Sequence, residues 1–398
     1  MTSVEGRRRL AAGALLLTTF AGSASAGSLT IGIVQRAEDD RLEPARVALA
    51  YPGHPGGRAR DAVDLAVKES RFELEAAGLQ VTVSVRDATS ADDAVRQLRQ
   101  LDQAGAAGAL LDLPSTWMAA ASAASAMALI NVGDSAESSR QPGCRANLFH
   151  ALPSDRMRAD ALAQSLLIRK WTRVLLLSGP RPDDAVRLGL AQAALKRLGL
   201  KQVAVKNFKL SADPRERDLA NPLLLTGVAA VGGDYDVVWV VDGDGEFART
   251  LPYRIALPRP VVGDAGMSAA AWAPRFDRYG APQLERHFAR DARRPMTGHD
   301  WAAYIGAKAL LQAALQQPAA PHPAKLNAAL NRPDFTLDGS KGVRLSFRAW
   351  DRQLRQPMLL TDGLAVIGSA PVDGVMHAKN VLDTLGTDAP ESSCKASP

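Results

Sequence analysis

The chain has 398 residues, a formal net charge of +6 at neutral pH, 46% hydrophobic residues and two cysteines. Basic and acidic residues are interleaved, so there is no stripe or tail of the kind that tracks a nucleic-acid backbone. The length exceeds what one hydrophobic core usually supports and points to two lobes.

Chain order begins with an export signal. Arg7, Arg8 and Arg9 form a basic n-region, Leu10 to Phe20 is apolar, and Ala24 and Ala26 make an A-x-A site, so maturation is expected to begin near Gly27. The apolar stretch spans about eleven residues, against roughly 20 for a membrane-crossing helix. The mature protein is expected to be a soluble periplasmic protein, and its charge falls to +4 because the removed segment holds three Arg and one Glu.

Leu29 to Val34 is apolar on both faces and predicts a buried strand. Val63, Ala66 and Val67 mark an amphipathic helix closed by Gly78, and Leu79, Val81, Val83 and Val85 alternate as a second strand. A helix through Val95, Leu98 and Leu101 stops at Gly105, and strands follow at Ala109 to Leu113 and Ala128 to Val132, separated by a helix opening at Pro114 and Ser115. After a polar loop around Cys144 the pattern restarts. A helix capped by Ser154 carries Leu162, Leu166 and Leu167, then come a strand at Val174 to Leu177, a helix from Ala185 to Leu198, and strands at Val203, at Val237 to Val241 and at Val261. A long helix is expected over Thr297 to Gln316, then a Pro-rich connector and late strands at Val343 to Phe347, Pro357 to Leu360 and Leu364 to Ile367. Strands alternating with helices predict two α/β lobes, each a doubly wound parallel sheet. In an oxidising compartment two cysteines predict one disulfide, Cys144 to Cys394, pinning the tail to the body.

Sheets of this type place ligands beyond the carboxyl ends of their strands. The candidate ligand-binding residues are therefore Arg36 after the first strand, Ser115, Thr116 and Trp117 after the third, and Asp134 and Ser135 after the fourth. In the second lobe they are Arg181, Asp242 and Asp264, with Trp272 as an aromatic face. Gly243, Gly245 and Ala248 mimic a dinucleotide fingerprint, but acids at the helix start oppose a pyrophosphate. Asp242 and Asp244 mimic a calcium loop whose sixth and twelfth positions hold Phe247 and Tyr253. No G-x-S-x-G elbow, H-E-x-x-H pair or Cys/His cluster occurs, so neither catalysis nor a metal is expected.

The segment NLFHALPSDRMRADALAQSLL (147–167) and the helix opening HDWAAYIGAKALLQAA (299–314) resemble the Leu/Ile/Val-type periplasmic binding proteins of ABC importers. A narrower likeness lies in TLPYRIALPRPVVGDAG (250–266), SFRAWDRQLRQPMLL (346–360), LDTLG and PESSC, which are similar to the branch associated with pyrroloquinoline quinone (PQQ)-dependent alcohol dehydrogenase systems. The resemblance implies a type I periplasmic binding fold, lobe 1 at 27–149 with 267–336, lobe 2 at 150–266 with 337–385, and a tail at 386–398. It further implies a monomer that holds PQQ, or a solute of alcohol oxidation, as cargo rather than cofactor and presents it to an ABC permease. A sensor that binds such a solute without transport is the alternative. By the same resemblance Ser115, Thr116, Gly133, Ser135, Asp242 and Asp264 fall near ligand-holding positions, while the long segment Gln35 to Arg60 replaces a short turn.

Overall fold

The computed structural model describes Thr2 and residues 27–319, 321–375 and 377–395. The export signal lies outside these residues, Thr2 apart.

Five parallel strands build the first lobe: β1 (Gly27–Arg36), β2 (Leu79–Ala88), β3 (Gly108–Asp112), β4 (Ala128–Asn131) and β5 (Leu148–His150), in the order β2-β1-β3-β4-β5. Four more build the second: β6 (Arg173–Ser178), β7 (Lys201–Asn207), β8 (Val237–Val241) and β9 (Val261–Gly263), ordered β7-β6-β8-β9. Both sheets are covered on both faces, which is why their central strands have no polar alternation. Leu110 and Ile130 enter one core and Ala109, Leu111 and Leu129 the other. In the second lobe Val174, Leu176 and Trp239 oppose Leu175, Leu177 and Val238 in the same way. The expected α/β class with two parallel sheets is the observed one.

The remaining strands are antiparallel. β10 (Ser268–Ala270) pairs with β14 (Met358–Thr361), which pairs with β15 (Val366–Ala370); β11 (Leu337–Asp338), β12 (Arg344–Phe347) and β13 (Leu354–Arg355) form a separate ribbon. The chain passes between the two lobes at several points. Ala269 packs in the second lobe's core and Ala271 in the first; Leu354 packs in the first and Met358 in the second. Leu337 and Leu345 lie in the first core, on the opposite side of the crossing from the one that the sequence division at 336 gives them.

The crossing is held by buried polar groups. Gln353 Nε2 donates to the carbonyls of His150 (3.1 Å) and Leu152 (3.2 Å), and its Oε1 accepts from Arg140 Nε at 2.7 Å. The SFRAWDRQLRQ segment thus builds the hinge. Within it Arg348, 1% exposed, donates to Asp383 (3.0 Å) and to tail carbonyls including that of Leu385, and the Trp350 indole donates to Thr387 O at 3.0 Å. The expected disulfide joins Cys144 to Cys394 across 250 residues. The bond fixes the tail to the loop after β4, as its sequence position suggests.

Several helices escape the sequence pattern, among them the short Pro222–Thr226, Val228–Val231 and Pro323–Leu330. Pro44–Leu49 buries no residue, and Ala281–Ala292 presents few large apolar side chains, chiefly Leu284 and Phe288. The long helix is Gly298–Leu315, started by Thr297, whose hydroxyl accepts from Asp300 N while the Asp300 carboxylate accepts from Thr297 N.

Candidate functional site

The carboxyl ends of β1, β3, β4, β6, β8 and β9 face a cleft between the lobes. The segment after β1, residues 37–58, crosses it as a strap instead of turning back at once. His54 Nε2 donates to Gly243 O of the second lobe at 3.2 Å, and Arg46 lies 3.6 Å from Asp244. Tyr51 sits over Gly245, where a Cβ would fall 2.5 Å from its ring; Gly245 has φ +71, so glycine is required there twice over.

The strap divides the cleft. On one side is a polar chamber of about 500 Å³. Of the residues expected from sequence, Ser115, Asp134, Ser135, Asp242 and Asp264 line it. Thr116 is exposed and Trp117 packs against the first lobe's core. Arg36 pairs with Asp39 at 2.9 Å, and Arg181 is half-exposed and pairs with Asp244; neither is among the lining residues. Trp272, 3% exposed, lines the chamber on the other side of the strap and donates its indole N–H to Glu285 at 2.9 Å.

Most charges in the polar chamber are already satisfied. Arg41 donates to Asp39 (2.7 Å) and Asp112 (2.8 Å). Arg187 pairs with Asp264, whose other oxygen accepts from Asp242 N at 2.7 Å. Burial opposes the Arg187 charge, yet the nearby Asp264 and Asp155 carboxylates hold its pKa above the ordinary value. Asp134 accepts from Ser139 Oγ (2.7 Å) and Ala136 N (2.9 Å). Asp242 accepts from Ala248 N at 2.9 Å, and burial, reinforced by the charges of Asp264 and Asp184, pushes its carboxyl above the usual range.

Arg158 is different. It stands one turn into the helix Asp155–Ile168, which Ser154 caps through Met157 N at 3.2 Å. Among the described residues its guanidinium makes no hydrogen bond: Nε is buried without a partner, and the nearest acid in its pairing range, Asp155, is 3.9 Å from Nη1. Gly53 of the strap, φ +82, lies directly over it. Burial lowers its pKa, and the charges of Asp155 and Asp264 offset that only in part. His299 also lines the chamber, its pKa pushed well down by burial and by the charges of Arg41 and Arg158. Arg158, Arg187, Arg41 and His299 escaped the sequence reading because all four lie within helices or the strap, not directly after a strand, and spacing carries no signal for them.

Among the described residues no group of three His, Cys, Asp or Glu is placed to hold a metal, and no helix is long and apolar enough to cross a membrane.

No family model and no curated protein sequence matches the chain. Solved structures do. A branched-chain amino acid ABC transporter periplasmic ligand-binding protein from Burkholderia xenovorans aligns with a TM-score of 0.73 at 14% identity, over 92% of this chain and 99% of that one. A periplasmic binding protein from Burkholderia mallei aligns at 0.67 and 13% identity, over 94% and 100%. A solute-binding protein of an ABC transporter from Rhodopseudomonas palustris, solved with benzoate, aligns at 0.63 and 12% identity, over 93% and 100%. The chain has the two-lobed fold of the periplasmic binding proteins.

Proposed function

We propose that this chain is the periplasmic solute-binding component of an ABC-type importer, and that its solute carries a carboxylate held by Arg158 in the interlobe cleft. The observation that carries the reading is a guanidinium that makes no hydrogen bond among the described residues and has its ion-pair partner, Asp155, only at 3.9 Å. A guanidinium with Nε buried away from any acceptor and its other donors turned to the cleft is best completed by a planar anion. Arg158 belongs to the second lobe, while Ser115, Ser135 and His299 face it from the first. A solute touching both sides binds the closed arrangement better than the open one, and only that difference drives closure. A permease then reads the closed form.

The sequence resemblance narrows the solute to PQQ or a compound of alcohol oxidation. PQQ brings three carboxylates, and beyond Arg158 the guanidiniums of Arg41 and Arg187 already hold aspartates. A solute with one carboxylate asks for no such exchange, and we favour it over the trianion.

Calorimetric titration with a panel of monocarboxylates and with PQQ tests both levels. Arg158→Gln is expected to weaken the best binder about a hundredfold, as befits a lost charge-assisted hydrogen bond. Unchanged affinity in that variant would sink the reading.

A further inference from the structure

On the other side of the strap lies a second chamber of about 350 Å³, walled by Tyr51, Pro52, Trp272, Met296 and the alanines of 269–273. Its chemistry is unlike that of the polar side. Trp272 has one donor, already given to Glu285. Ala269, Ala271 and Ala273 present only methyl groups, and Met296 is fully buried. Besides Arg158, the charged residues at its wall are Arg46 and Arg294, which have partners elsewhere: Arg294 donates to Asp300 at 2.7 Å and to Asp61 at 3.0 Å, and Arg46 faces Asp244. The chamber has the size and lining of a small-molecule pocket.

The two chambers are not independent. Arg158 and His299 line both, as do Pro52 to Pro55 of the strap. A carboxylate received by Arg158 therefore sits at the doorway between them. A hydrocarbon group attached to that carboxylate has an apolar space to enter on one side, while the other offers hydroxyls and acids.

We infer that the chamber formed by Tyr51, Trp272 and Met296 is a specificity compartment that takes the apolar body of the solute, so that the cargo is an amphiphilic monocarboxylate threaded past Gly53 and not a compact polar acid. The inference rests on the carboxylate reading of Arg158. Strap residues thereby select the cargo: Tyr51 to Pro55 supply one wall of the apolar chamber, which a short turn after β1 would lack.

The test uses acetate, a head without a body, and 3-phenylpropionate, the same head with an apolar body, titrated calorimetrically into the full mature chain. Burying a phenylethyl group is expected to make 3-phenylpropionate bind at least about a hundredfold more tightly than acetate. Ala270→Trp, which fills the chamber from β10, is expected to weaken 3-phenylpropionate at least about tenfold while Arg158 stays in place. If that variant fails to fold, Pro295→Trp at the exposed rim carries the same expectation. Similar affinities for the two acids, or filled variants that bind 3-phenylpropionate as the parent does while Arg158→Gln weakens it, would overturn the compartment and leave the carboxylate reading standing. Absence of binding by both acids would overturn the two together.

Discussion

His54 of the first lobe donates its Nε2 proton to the carbonyl of Gly243 in the second, 3.2 Å away across the cleft. A segment that belongs by sequence to one lobe thus reaches across the cleft to the other. Burial lowers the His54 pKa, and its bond to the Gly243 carbonyl opposes that shift.

The strap is expected to loosen when its landing site is altered. Gly245→Ala places a methyl 2.5 Å from the Tyr51 ring at a φ of +71. We expect a cost of about 1 to 2 kcal/mol and faster amide exchange confined to residues 44–57. Unchanged exchange there would mean that the strap is held by the first lobe alone.

The hinge network should be sensitive to loss of one amide. Gln353→Ala removes the acceptor of Arg140 Nε and the donor to two buried carbonyls. A loss of about 2 to 4 kcal/mol is expected in urea denaturation, with the denaturant slope unchanged. A loss below about 0.5 kcal/mol would show that water replaces the amide.

Reduction of the Cys144–Cys394 disulfide releases a 250-residue closure, for which chain entropy sets an upper bound of roughly 5 kcal/mol. The tail keeps its Arg348, Asp383 and Trp350 contacts, so melting temperature is expected to fall while solute affinity, read at the same temperature, does not. An affinity change on reduction would instead tie the tail to the cleft.

Acid should destabilise the fold from mild pH downward. Burial holds His150 and His299 well below the ordinary histidine value, the charges of Arg140 and Arg41 adding to it in turn. Below about 6.5 the unfolded chain takes up protons that the folded chain refuses, so stability present above that pH is lost as pH falls toward the folded values. Each histidine contributes up to ~1.4 kcal/mol per pH unit in that window. Thermal melts from pH 7 to 5 should show the decline, and His299→Asn should flatten it; an equal decline in the variant would assign it elsewhere.

Sequence alone determined the α/β class, the order of eight of the nine parallel strands and the disulfide partners. Doubly covered parallel strands must be apolar on both faces, so Val174 to Leu177 and Val237 to Val241 announce themselves, and the rule that ligands lie beyond strand ends located Ser115, Ser135, Asp242 and Asp264 on the polar chamber. What only the tertiary structure decided is which charges are already taken. Arg41, Arg181 and Arg187 read alike in a sequence, as does Arg158, yet three are joined to carboxylates of distant segments while Arg158 has only Asp155 of its own helix, 3.9 Å away. Pairing depends on distances between residues tens of positions apart, which local periodicity does not encode. The strap's path across the cleft was hidden for the same reason: its short helix buries nothing, so its position is set by His54 and Tyr51 against the other lobe rather than by any pattern of its own.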